Sequence, residues 1–72
     1  MKFEIWQEGY RVTGDQAPAS KAGEAEGDNF KAACEEFAHA NPEWAKYFDS
    51  ARMTHWGCRL FDNEADARKS FG

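Results

Sequence analysis

Branched aliphatic residues are almost missing from this chain: one Leu (Leu60), one Ile (Ile5) and one Val (Val12) in 72 residues. With the six Phe they make nine residues, and so small a set in a highly charged chain is a mark of disorder. Here the net charge is only −4, and eleven aromatics stand at periodic positions among twelve alanines. Each interior aromatic buries roughly 150–250 Å². The expectation is a folded domain with an aromatic core and alanines that let backbones approach.

Cysteine is scarce too. Cys34 and Cys58 do not make a disulfide framework, and in a reducing compartment both stay as thiols. No apolar run reaches the ~18 residues of a membrane span, and the N-terminus lacks the tripartite pattern of a signal peptide. These absences point to a soluble, cytoplasmic protein without membrane contact. No P-loop, dinucleotide fingerprint, G-x-S-x-G or H-E-x-x-H is present. With no nucleotide or cofactor motif and no catalytic constellation, the chain reads as non-enzymatic and cofactor-free. Seventy-two residues allow one domain, with a thin core.

What is present begins with alternation. Lys2-Phe3-Glu4-Ile5-Trp6-Gln7-Glu8 puts apolar and polar side chains on opposite faces of a strand, Phe3 and Ile5 inward. That strand is expected over about residues 2–13, with Gly9 as a bulge returning Tyr10 and Val12 to the inner side. Thr13-Gly14-Asp15-Gln16-Ala17-Pro18 reads as a turn and loop. Residues 19–26 form a second strand, its small Gly23 and Ala25 letting a helix pack close. Asp28 is a candidate N-cap for a helix with an apolar stripe of Phe30, Ala33, Cys34, Phe37 and Ala38. Asn41-Pro42 ends that helix and starts a short one burying Trp44, Tyr47, Phe48 and Ala51. Residues 52–61 alternate as a third strand with Trp56, Cys58 and Leu60 inward. Asp62 or Asn63 caps a last helix over 64–70, from which Phe71 folds back. The fold class is α+β: a single small domain, β-β-α-α-β-α, with a three-stranded antiparallel sheet in order 2-1-3 and the helices on one face.

Cys34, His39, His55 and Cys58 form a zinc ligand set by type. Spacing speaks against it: five residues on a helix turn Cys34 and His39 about 140° apart, and three residues on a strand put His55 and Cys58 on opposite faces. No metal is expected. A reactive thiol needs an electropositive setting; Cys34 sits on an apolar stripe before Glu35 and Glu36. Cys58, beside Arg59, is the better candidate but shares parity with Trp56 and Leu60.

Charge is uneven. Residues 1–50 carry ten acids against five bases, and residues 51–72 four bases against three acids. An acidic body disfavours free nucleic acid as a ligand and suits a protein partner with a basic surface. Glu4, Glu8, Glu24 and Glu26 are expected on one outward sheet surface with Trp6 among them. Such carboxylates either keep the protein soluble or imitate a run of phosphates. An exposed Trp is an interface anchor unless the last helix or a second subunit covers it, so monomer and homodimer both stay open. Glu4, Trp6, Glu8, Glu24 and Glu26 are therefore the candidate protein-binding residues. The alternative is a small nucleic-acid-binding domain using Arg52, His55 and Arg59.

Glu8-Gly9-Tyr10, Thr13-Gly14, the run Trp56-Gly57-Cys58-Arg59-Leu60-Phe61-Asp62-Asn63-Glu64 and Ala67-Arg68 resemble a group of small uncharacterised bacterial and phage proteins. In size, acidity and lack of enzymatic motifs the chain is also similar to phage-encoded inhibitors, including anti-CRISPR proteins. That likeness implies an inhibitor that occludes a nucleic-acid-binding surface of a host protein, and it implies no catalytic residues.

Overall fold

The structure is a computed structural model describing residues 1–12 and 15–71, with the backbone alone for residues 10–12, 15–17 and 71. Ten elements follow one another: β1 (Lys2–Gln7), β2 (Tyr10–Val12), β3 (Asp15–Ala17), β4 (Ser20–Glu26), α1 (Phe30–Ala40), α2 (Pro42–Ala45), β5 (Phe48–Asp49), β6 (Thr54–His55), β7 (Cys58–Phe61) and α3 (Glu64–Phe71). The main sheet is antiparallel in order β4-β1-β7-β6-β5.

The expected 2-1-3 arrangement survives as β4-β1-β7 at one side of this sheet, but the sheet has five strands rather than three. Two failures of continuity, with a strand β5 at Phe48–Asp49 where a short helix was expected, account for the differences in strand layout. The first expected strand stops at Gln7, and Tyr10–Val12 pairs instead with Asp15–Ala17 in a separate two-stranded ribbon. At Glu8 the pairing with β7 is half made: its N–H donates to Arg59 O at 3.0 Å, while its carboxylate rather than its carbonyl accepts from Arg59 N. The sheet's irregularity lies not at Gly9 but between Ile5 and Trp6, whose β4 partners Gly23 and Lys21 leave Ala22 as the extra residue. Thr13-Gly14 and the side chains of Tyr10, Val12 and Phe71 lie outside the described residues.

The second failure is in residues 52–61. Trp56 and Gly57 both have positive φ, 56° and 75°, the signature of the tight two-residue turns that join antiparallel strands. The segment is thus a β6–β7 hairpin rather than one strand, and Trp56 points out at its tip, 65% exposed, not into the core. β5 adds to the other side of β6, with Met53 at φ 54° in the connection and Asp49 Oδ1 accepting from Arg52 N at 3.1 Å.

α1 starts one residue later than expected: Asn29, not Asp28, is the N-cap, its Oδ1 accepting from Ala32 N at 2.8 Å. It ends at Asn41-Pro42, as the restriction on a residue before proline requires. Its apolar stripe lies on the sheet face carrying Phe3, Ile5, Gly23, Ala25 and Leu60. Ile5 and Cys34 are wholly buried there with Leu60 beside them, and Phe37, Trp44, Phe48 and Met53 close the sides. α2 is a single turn, so its expected buried side is only half made: Trp44 and Phe48 pack, whereas Tyr47 and Ala51 are exposed. Trp44 stacks on Phe48 and on His55, ring centroids 4.9 and 4.5 Å apart.

α3 is capped by Asn63, whose Oδ1 accepts from Asp66 N at 2.8 Å. It returns over β7, β1 and β4. Ala67 on it is fully buried yet stands outside the Ile5–Cys34–Leu60 cluster. Trp6 and Phe61, whose register turns them away from α1, are half-buried, and Ala19 just before β4 is buried. α3 therefore covers one end of the opposite sheet face, and the helices lie on both faces rather than one. Among the described residues no helix is long and apolar enough to cross a membrane.

Candidate protein-interaction surfaces

The five residues expected to form an acidic contact face divide in two. Glu4 and Glu24 stand directly opposite each other on β1 and β4, with Glu26 opposite Lys2, so these three carboxylates share the face turned from α1. They are not an unbroken acidic row. Lys2 and Lys21 lie among them, both on Glu24, at 3.0 and 2.8 Å. The hydrogen bond from Lys21, then that from Lys2, holds the Glu24 carboxyl down to about 2. Glu24 in turn raises the Lys21 ammonium above its usual range. These lysines answer the repulsion that Glu4 and Glu24 would otherwise exert across the ladder.

Trp6 and Glu8 are occupied by the fold. Trp6 is half-buried, and its indole Nε1 donates to Glu4 Oε1 at 2.7 Å. Glu8 is half-buried as well: one oxygen accepts from Ser70 Oγ on α3, the other from Arg59 N. It ties the end of α3 to the sheet. The sequence pattern placed both side chains on the correct face but could not show that α3 would close over that end.

The nucleic-acid trio separates too. His55 is buried, stacked on Trp44 with the rings 6° from parallel. Both its nitrogens are engaged, Nδ1 with Gln7 Oε1 and Nε2 with Trp44 O, each at 3.0 Å. A neutral imidazole offers one donor, so it satisfies both partners when the Gln7 amide turns to present its NH₂. Burial lowers the His55 pKa below its usual 6.5, against the opposing effect of the Trp44 carbonyl. Arg52 and Arg59 remain exposed, Arg59 lying over the Phe61 ring at 5.5 Å.

The cysteines are buried and unpaired. Burial, reinforced by Glu35, pushes the Cys34 thiol up to about 12. Burial also raises Cys58, against the opposing effect of the Gln7 side chain. Thiols held protonated are poor nucleophiles. Among the described residues no group of three His, Cys, Asp or Glu side chains is placed to hold a metal.

The surface that sequence reasoning missed is the hairpin tip. Trp56 lies flat against Tyr47, ring centroids 4.0 Å apart and planes 21° from parallel, with Tyr47 itself 46% exposed. Trp56 N donates to Tyr47 O at 3.1 Å, fixing the pair to β5 and β6. A bulky residue at positive φ is uncommon, because the left-handed region crowds Cβ against the backbone. Gly57 inside an apparent strand was the signal available, since a lone glycine there marks a bulge or turn. Comparison with protein-family models gives no match, and neither curated proteins nor solved structures give one.

Proposed function

We propose that this chain is a non-enzymatic protein-binding module that inserts its Trp56–Tyr47 stack into an apolar pocket of a basic partner protein. The biological type that fits is a phage or mobile-element inhibitor, anti-CRISPR-like, occluding a nucleic-acid-binding surface of a host protein. One observation carries the reading: the most exposed aromatic of the described residues is held in a left-handed turn and stacked on a second exposed ring. Tryptophan and tyrosine dominate interface energetics, and a ring already fixed in place loses little freedom on binding. The net charge of −4 favours encounter with a basic surface.

The test is affinity capture from bacterial lysate with the wild-type chain and Trp56→Ala in parallel. The expected result is a captured protein whose retention falls by at least roughly thirtyfold in the variant, the equivalent of a hot spot of about 2 kcal/mol. Equal capture by both proteins refutes the reading.

A second reading has a specific observation behind it. Exposed Trp56 and Tyr47 rings are also platforms for nucleobases, and Arg52 carries a side chain 83% exposed. A gel shift on short single-stranded DNA and RNA at low salt, lost in Trp56→Ala, would select it over a protein partner.

A further inference from the structure

β4 is an edge strand. It pairs with β1 on one side, and no described residue pairs with it on the other. The ladder dictates which of its backbone groups face the free edge. Gly27 N donates to Met1 O at 3.0 Å, and Met1 N donates to Gly27 O at 3.2 Å. In an antiparallel pair such doubly bonded positions alternate with positions whose N–H and C=O point away. With Lys2 opposite Glu26 and Glu4 opposite Glu24, the outward groups are those of Glu24 and Glu26. Unpaired edge groups of this kind are a template for a further strand.

Beside the edge, on the α1 side, runs a groove of about 610 Å³ with Ala25, Ala32 and Phe37 in its lining. Glu24, Glu26, Asp28 and Glu36 also line it, and no basic residue does. Glu24 is held by Lys2 and Lys21, whereas Glu26, Asp28 and Glu36 make no ion pair among the described residues.

We infer that the free edge of β4 docks an extended, basic segment of a partner protein, which adds a sixth strand to the sheet. Side chains directly opposite on neighbouring strands share a face, so segment residues two apart meet Glu24 and Glu26. The intervening side chain turns to the other face, into the groove at the level of Ala25. The matching pattern is basic, then small or apolar, then basic, with the strongest call for a cation opposite Glu26. Main-chain bonds would supply affinity and the alternate side chains specificity. A second copy of this chain fits poorly, because antiparallel pairing of two β4 edges sets Glu24 and Glu26 against the same acids. This edge is distinct from the β6–β7 tip, and docking here does not require the tip to bind anything.

The probe is a short fluorescein-labelled peptide alternating lysine with threonine and valine, made also with N-methyl groups on alternate backbone nitrogens and with every lysine replaced by glutamate. Fluorescence anisotropy should show saturable binding of the parent peptide and none of the other two. Glu26→Lys should weaken binding by roughly tenfold or more, through loss of a cross-strand ion pair and its replacement by repulsion. Glu26→Pro, which removes an outward N–H while leaving the β1 ladder intact, should abolish it. Hydrogen exchange should slow at the Glu24 and Glu26 amides on peptide binding, and Trp56→Ala should bind as the wild type does. Circular dichroism establishes that each variant is folded. No saturable binding, equal binding of the N-methylated peptide, or unchanged exchange at both amides overturns the inference. So does a concentration-dependent dimer of the free protein that protects these amides, since it gives the edge to a second copy. Lysate capture lost in Trp56→Ala but kept in Glu26→Pro would leave the tip reading standing by itself.

Discussion

Gly23→Ala is the substitution that most directly tests how α1 sits on the sheet. A Cβ added at Gly23 would lie 2.4 Å from Phe37 Cε1 and 2.8 Å from Cζ, where ordinary contact begins at 3.4 Å. The ring would have to retreat by about 1 Å. It has little room, because it packs nearly perpendicular to Trp44 with ring centroids 5.0 Å apart, and Trp44 is in turn stacked on Phe48 and His55. Overpacking of this kind costs about 1–3 kcal/mol. Replacing glycine in a strand returns about 0.5–1 kcal/mol by restricting the unfolded chain. A net loss of about 1.3 kcal/mol lowers Tm by about 5–10 °C in a domain of this size. Thermal unfolding followed by circular dichroism reads it directly. The mechanism is checked by repeating the substitution in a Phe37→Leu background, where removal of the ring should recover about 1 kcal/mol or more of the loss. A Gly23→Ala protein as stable as the wild type, or an equal loss in both backgrounds, would refute the proposed close approach.

Further expectations concern titration, thiols and the tip. His55 has a pKa lowered by burial, so folding favours its neutral ring. Its contribution is complete above the unfolded value of about 6.5 and is lost as pH falls below it. Urea unfolding at pH 7.5 and pH 5 should show the loss, and His55→Gln should flatten that part of the profile. Glu24 acts in a lower window: its contribution, complete above the unfolded 4.5, disappears as pH falls toward about 2. In the native protein neither Cys34 nor Cys58 should react with a thiol reagent at pH 8 within the time that urea-unfolded protein reacts fully, because burial keeps both protonated. Trp56→Asn should change stability by less than about 1.5 kcal/mol, since relief of the left-handed backbone offsets the lost stack on Tyr47. A larger loss on chemical denaturation would make Trp56 a structural residue.

Glu8 shows why part of the binding surface was hidden from the sequence. Its parity assigns it correctly to the face turned from α1, but parity says nothing of a partner sixty-two residues away, and Ser70 on α3 takes its carboxylate. The trio Arg52, His55 and Arg59 came apart for a more local reason: Trp56-Gly57 interrupts the alternation, so His55 turns inward against Gln7 and Trp44.

Local chemistry alone determined a good deal. Alternation set the inward turn of Phe3 and Ile5, the 3.6-residue stripe set the buried side of α1, Asn41-Pro42 set its end, and small residues at Gly23 and Ala25 marked where that helix presses on the sheet. These follow from backbone sterics and side-chain periods, which act within a few residues. Tertiary structure alone decided that Gln7 would meet His55 and that Ser70 on α3 would take the Glu8 carboxylate. Each of these depends on contacts between segments distant in the chain, whose free energies no local pattern encodes.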